Sequence, residues 1–405
     1  MSNRPSNGDA APYPTRLFTC IALLWLGGCG LRITILAVPP VIPLIRADLH
    51  MSETAVGILS GLPQVLFAGA AVPGSLLVAR FGALPTLIVG LLATAIGSGL
   101  RGTVPDVALL FAATVITGFG VAIMQPSLPP LVRTWLPDRI GFGSAVLTNG
   151  LLVGEILPVA LTLPLVLPLV GGSWRLGFVA WAVPVALIAL VIVMFAPKAA
   201  AAAPGGAKPM RWWPDWKSPL IWRLGLMFGS VNAMYFGTNA FIPDFLHYTD
   251  RADLIGPALT ALNVSQLPAS FILLPIADRI LRKAWPYVVC GFLCLTAIIG
   301  IMFGNAAMII ASAALLGFAA AAVLVLIFAL PPLLSAPDDV HRTSAAMFTI
   351  SYSCAVVVPI VSGVAWDLSG VPFAAFVPIA LSAFVLVALG PTIAPSQSTP
   401  VPKKR

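Results

Sequence analysis

The sequence predicts an all-α integral membrane protein: twelve transmembrane helices in two six-helix bundles related by a parallel repeat. Three observations carry that expectation. Of 405 residues, 59% are apolar and only 9% charged, whereas an ordinary soluble domain carries about a quarter charged residues. Apolar runs recur from end to end, each near the roughly 20 helical residues that span a hydrocarbon core of about 30 Å. The chain also repeats itself at a spacing of about 200 residues.

The apolar runs place helices over residues 17–45, 53–79, 84–103, 105–131, 140–169, 173–195, 219–246, 253–279, 284–304, 306–335, 341–369 and 371–395. A membrane β-barrel would show segments of about ten residues alternating apolar and polar, and none appears. The first run lacks a small-residue cleavage site and leads into a Pro-rich continuation, so it reads as a retained helix rather than a signal peptide. Cys20, Cys29, Cys290, Cys294 and Cys354 fall within spans, without metal-ligand spacing, and read as packing residues. No cofactor and no metal are expected.

The repeat gives the domain organisation. Leu128-Pro129-Pro130-Leu131 recurs as Leu330-Pro331-Pro332-Leu333, and Pro137-Asp138 with Ser144-Ala145 recurs as Pro337-Asp338 with Ser344-Ala345. Pro43 matches Pro243, which aligns Arg32 in helix 1 with Asn232 in helix 7. The expected units are a tail over 1–16, a bundle over 17–195, a linker over 196–218, a second bundle over 219–395 and a tail over 396–405. The linker is rich in Ala, Pro, Gly and Lys, and its Trp212, Trp213 and Trp216 are suited to the headgroup level. Two bundles facing each other across a central cavity suit alternating access by rocking.

The net charge of +8 follows from topology. With the N-terminus inside, 17 of the 22 Lys and Arg fall in cytoplasmic segments, Arg46, Arg101, Arg175 and Arg251 lie outside, and Arg32 remains within a helix. That asymmetry orients a multi-pass protein of the cytoplasmic (inner) membrane with both termini in the cytoplasm. Membrane lipid and a small-molecule substrate are therefore the expected partners, with protons for coupling, and nucleic acid is not. A monomer is expected.

Leu31-Arg32, Pro40, Pro43, Ile45-Arg46-Ala47-Asp48-Leu49, Met51-Ser52 and Gly57-Ile58-Leu59 with Pro63 form an opening pattern across helices 1 and 2. Trp135-Leu136-Pro137-Asp138-Arg139, Trp174-Arg175, Tyr235 with Ile242-Pro243, and Asp278-Arg279 continue it. In these residues the chain resembles the major facilitator superfamily, and within it the branch of cyanate and 2-nitroimidazole transporters. The resemblance implies a secondary transporter of small anions or weak acids, working by symport or exchange. One departure stands out. The superfamily's Gly-x-x-x-Asp-Arg-x-Gly loop between helices 2 and 3 keeps Arg80-Phe81-Gly82 but has Ala79 in place of the Asp. Any carboxylate latch there is lost, and Asp278-Arg279 is the candidate gate in the second half.

Ionisable groups within spans are costly and usually face a cavity or one another. Arg32 and Glu155 each lie about 15 residues into a helix from the same side, near mid-membrane at about 1.5 Å per residue. A guanidinium offers a planar fork of donors for a small anion, which makes Arg32 a candidate ligand; a static Arg32–Glu155 ion pair is the alternative. Glu155 is a candidate proton-coupling site or that pair's partner. Gln125, Asn232, Tyr235, Asn239, Gln266 and Tyr352 complete the candidate binding set, although amides and hydroxyls also join membrane helices. Neither His-Glu-x-x-His nor a Gly-x-x-x-x-Gly-Lys-[Ser/Thr] loop occurs, so no intramembrane hydrolase or ATP-driven pump is indicated. An exporter of bulkier hydrophobic compounds is the alternative reading, and a channel or sensor a second.

Overall fold

The computed structural model describes residues 13–197 and 211–393, and every regular element among them is helical. Twelve spans follow in order: α1 (Leu17–Leu49), α2 (Ala55–Phe81), α3 (Ala83–Arg101), α4 (Val107–Trp135), α5 (Pro137–Leu169) and α6 (Trp174–Phe195). Next come α7 (Pro219–Tyr248) and α8, which is split into Ile255–Val264 and Gln266–Leu273. The last four are α9 (Trp285–Phe303), α10 (Ala306–Leu334), α11 (Pro337–Ser369) and α12 (Pro372–Ile393). Residues 1–12 and 396–405 of the expected tails and the middle of the linker lie outside the described residues, whereas Tyr13–Arg16, expected in the first tail, already belong to the first helix.

Ten of these spans are long and apolar enough to cross a membrane by length and composition, and α7 and α8 are not. The reason is local chemistry. Helix α7 carries Arg223, Asn232, Tyr235, Asn239, Asp244 and His247. In α8, Pro268 has no N–H for the carbonyl of Val264 and Pro275 none for that of Phe271, and the helix breaks after Val264 and again after Leu273. Both helices face the interior between the halves, where polar groups and broken backbone are tolerated.

The internal repeat is visible as geometry. Pro137–Arg139 and Pro337–Asp339 each form a 3-10 turn, followed by helices from Ile140 and Val340. Ser144, Ala145, Ser344 and Ala345 are all fully buried at the matching starts of α5 and α11. The halves meet where α2 packs on α11 and α5 packs on α8 and α10, the first two pairs being equivalent under the repeat.

At the end of the bundles that carries the linker, polar contacts cross between the halves. Asp278 accepts hydrogen bonds from the backbone N–H of Gly141 (2.6 Å) and Phe142 (3.2 Å), capping the start of α5. Arg133 donates to the carbonyl of Ser335 at 2.7 Å. The linker is itself strapped down: Ser75 of α2 donates to Trp212 O at 2.8 Å, while His341 and Arg342 of α11 hold Arg211 O and Trp213 O at 3.1 and 3.4 Å. Of the three linker indoles, Trp212 and Trp216 are half-buried and Trp213 is exposed. At the opposite end a clasp forms within the first half. There Asp48 pairs with Arg175 and accepts from Trp174 Nε1 at 3.2 Å, which joins the opening pattern to one of the segments that continue it.

One sequence expectation needs correction. Arg101, counted among the outside cations at the end of predicted helix 3, is completely buried at the end of α3. Its Nε donates to Thr114 (3.1 Å), its Nη1 to Thr34 O (3.0 Å), and its guanidinium lies over the Phe178 ring at 5.7 Å. The charge count alone could not separate a loop cation from one folded back into the bundle.

Candidate functional site

Helix α1 is discontinuous at Arg32. Gly27, Gly28 and Gly30 are weak helix formers, and the N–H groups of Leu31 and Arg32 reach back only three residues, to Gly28 and Cys29, at 3.1 Å each. Arg32 sits at φ −123°, ψ −28° before the helix resumes at Ile33. The first segment of α1 is pressed against α5 by small residues, an arrangement that lets membrane helices approach closely. A Cβ on Gly150 would lie 2.1 Å from Trp25 O, and one on Gly154 would lie 2.5 Å from Cys29 O. This contact sets Glu155, the next residue of α5, beside the break that carries Arg32.

Two adjoining cavities meet there. The first is lined by Arg32, Glu155, Asn232, Tyr235, Gln266 and Tyr352, with Phe228, Phe236 and Phe328 among its apolar walls. The second extends away from the linker end and is lined by Arg32, Ser60, Gln64, Phe67, Arg101, Thr114 and Glu155 among others. Arg32, Glu155 and Phe236 belong to both walls. The Arg, Lys, Asp and Glu side chains on these walls are thus two guanidiniums and one carboxylate.

Arg32 and Glu155 are not joined directly; each bonds a tyrosine of the opposite half. Arg32 Nη2 donates to the Tyr352 hydroxyl at 3.1 Å, and the guanidinium lies over the Phe67 ring at 5.6 Å. Phe67 in turn meets Tyr352 edge to face at 5.0 Å. Arg32 Nε is buried without a partner. The Tyr235 hydroxyl lies 3.1 Å from Glu155 Oε1 and 2.5 Å from Asn263 Oδ1; its single proton can serve only one acceptor at a time. Asn263 then donates to Asn239 Oδ1 at 3.1 Å, and Asn239 to Tyr235 O at 2.9 Å.

The remaining candidates divide by position. Asn232 donates to Ser351 Oγ at 2.8 Å and lines the first cavity, as does Gln266, which follows the break in α8. Asn239 supports Tyr235 from behind the wall. Gln125 is packed in a 3-10 turn of α4, 3% exposed with Oε1 unpartnered, and lines neither cavity. Asp278 and Arg279 lie apart from both cavities; Asp278 makes the linker-end contact and Arg279 follows it on the same short helix. Sequence reasoning missed Phe67, which as one of 21 phenylalanines carried no distinguishing signal, and Arg101, whose position within predicted helix 3 did.

A family model described as the Major Facilitator Superfamily matches residues 24–253. Similar relatives include the uncharacterized transporter YycB of Bacillus subtilis, 29% identical over 68% of this chain and 68% of that protein. The cyanate transport protein CynX of Escherichia coli is 27% identical over 64% of this chain and 66% of its own. The 2-nitroimidazole transporter of Escherichia coli is 25% identical over 61% and 62%. The alignments thus span about two thirds of these relatives' lengths. Among solved structures, the human organic anion transporter MFSD10 superposes with a TM-score of 0.70 at 16% identity, over 94% of this chain and 99% of that one. The transporter FucP in its outward conformation gives 0.70 at 15%, over 94% and 100%. At such identities the superpositions speak for the twelve-helix, two-bundle fold alone.

Proposed function

The chain belongs to the Major Facilitator Superfamily, a family of multi-pass membrane transporters, and we propose that its cargo is a small anion or weak acid of the cyanate or nitroimidazole kind. One observation carries the proposal: Arg32 is held at a break in α1, on the wall of both cavities, with neutral hydrogen-bonding partners and a spare Nε. Two guanidiniums facing one carboxylate leave the walls with a net positive charge that an anion complements. Asn232, Tyr235, Gln266 and Tyr352 supply the neutral donors and acceptors that orient it. Asn239 fixes Tyr235, and Gln125 is assigned a place in helix packing that an opened bundle would expose to the pathway. Glu155 takes the proton that couples transport to a gradient; without coupling, the same cycle runs as exchange. A second reading, export of bulkier hydrophobic compounds, is favoured by Phe228, Phe236, Phe328 and Leu324 on the first cavity's wall. Counterflow separates carrier from channel or sensor, since external substrate accelerates release of labelled internal substrate only in a carrier. Competition by cyanate, but not by a hydrophobic cation, separates the two cargoes.

In this reading the membrane is the cytoplasmic membrane, the linker end faces the cytoplasm with both termini, and the protein works as a monomer. Reporter fusions after residues 80, 139, 205, 283 and 405 are expected to report the cytoplasm. A reporter at 205 on the far side would break the six-plus-six order.

Asp278 is the gate, joined by Arg279 when the halves part. Removing the carboxylate that caps α5 costs about 1 kcal/mol, the usual worth of such a cap, or roughly fivefold in the ratio of closed to open states. Asp278→Ala is therefore expected to lengthen the mean distance between spin labels at Thr134 and Ala336, across the linker end. An unchanged distance distribution would remove Asp278 from the gate.

A further inference from the structure

We infer that the second cavity is a separate anion site, with Arg101 as its cationic ligand, occupied on the way to Arg32. Arg101 leaves part of its hydrogen-bonding capacity unsatisfied. Its side chain is 0% exposed, and its bonded partners are a threonine hydroxyl, a backbone carbonyl and an aromatic face, all neutral. Nη2 has no partner at all. A buried guanidinium is normally paired with an acid, because an uncompensated charge and an unmade hydrogen bond are both costly inside a protein.

A structural role explains part of this arrangement. The short segment Ile33–Leu36 ends before any N–H can serve the carbonyl of Thr34, and Arg101 supplies that donor. A neutral amide would do the same. The permanent charge and the unused Nη2 remain unexplained until an anion is placed beside them. Arg101 and Thr114 line the second cavity together with Arg32, Ser60 and Gln64. This cavity extends toward the end of the bundles away from the linker and adjoins the first through Arg32, Glu155 and Phe236. An anion held by Arg101 thus has Arg32 on the same wall as its next cation. Conduction through successive moderate sites lets an ion enter and leave without being trapped.

The ligand class is a small monovalent anion, and that class rests on the anion reading of Arg32, although the residues differ. Thiocyanate, a linear and stable probe, makes the test on the purified full chain. Wild type is expected to bind two equivalents, Arg101→Gln one, Arg32→Gln one, and the double variant none. Binding of a single equivalent that survives Arg101→Gln and is lost in Arg32→Gln would overturn the second site while leaving the proposed function standing. A single equivalent that depends on Arg101 alone would keep the second site and overturn the Arg32 assignment. No binding by wild type would overturn both. Should Arg101→Gln fail to fold, wild-type crystals soaked in selenocyanate give the answer without a variant. A selenium peak beside Arg101 and Thr114 supports the site, and a peak beside Arg32 and Tyr352 alone overturns it.

Discussion

Arg32→Lys is expected to lower anion transport by about a hundredfold, equivalent to about 2.8 kcal/mol at about 1.4 kcal/mol per tenfold. The substitution keeps the charge and loses the planar fork. The wild-type guanidinium spends one nitrogen on Tyr352 and keeps Nε free, a division that a single ammonium on a flexible stem does not reproduce. Arg32→Ala is expected to abolish anion binding at this site. Initial uptake rates into proteoliposomes, normalised to folded protein, measure both. The double change Arg32→Ala with Glu155→Ala addresses the static alternative. Removing both members of a structural ion pair is often close to neutral, whereas a lost ligand stays lost. Transport recovered by the double variant would show that Arg32 serves only to neutralise Glu155. The observed geometry speaks against that outcome, since each group bonds a tyrosine of the opposite half rather than the other.

Much of the architecture was legible because lipid imposes a simple rule: long apolar runs must close their own hydrogen bonds as helices. The repeat added the second half of the argument, since Pro137-Asp138 and Pro337-Asp338 fold into the same turn. What the rule could not supply was helix interruption. The break at Arg32 comes from clustered glycines and that after Val264 from Pro268, and in a hydropathy profile both look like ordinary apolar stretches. Cavity membership was legible where a polar residue fell at mid-depth of a span, as for Asn232 and Tyr235. It was not legible for Gln125, because depth does not say which way a helix turns its face. Arg101 shows the same limit for charge. A cation near the end of a span reads equally as a loop anchor or as a buried group, and only the folded neighbours Thr34, Thr114 and Phe178 decide.

Glu155→Gln is expected to keep substrate exchange within about threefold of wild type while removing stimulation by an imposed proton gradient. The amide is nearly isosteric and still accepts a hydrogen bond from the Tyr235 hydroxyl through its oxygen, so the wall of the first cavity keeps its shape. What it cannot do is take up and release a proton. Glu155 is the only carboxylate on either cavity wall among the described residues, and its tyrosine partner has an alternative acceptor in Asn263 Oδ1. The hydroxyl can therefore turn to Asn263 when Glu155 is protonated and return when it is not, which ties the proton's position to a contact between the two halves. Paired measurements of counterflow and gradient-driven uptake distinguish this role from a packing role. Loss of the gradient response with counterflow retained assigns the coupling to Glu155. Equal loss of both, together with a lower unfolding temperature, would make the carboxylate a structural partner of Tyr235 and place the coupling elsewhere.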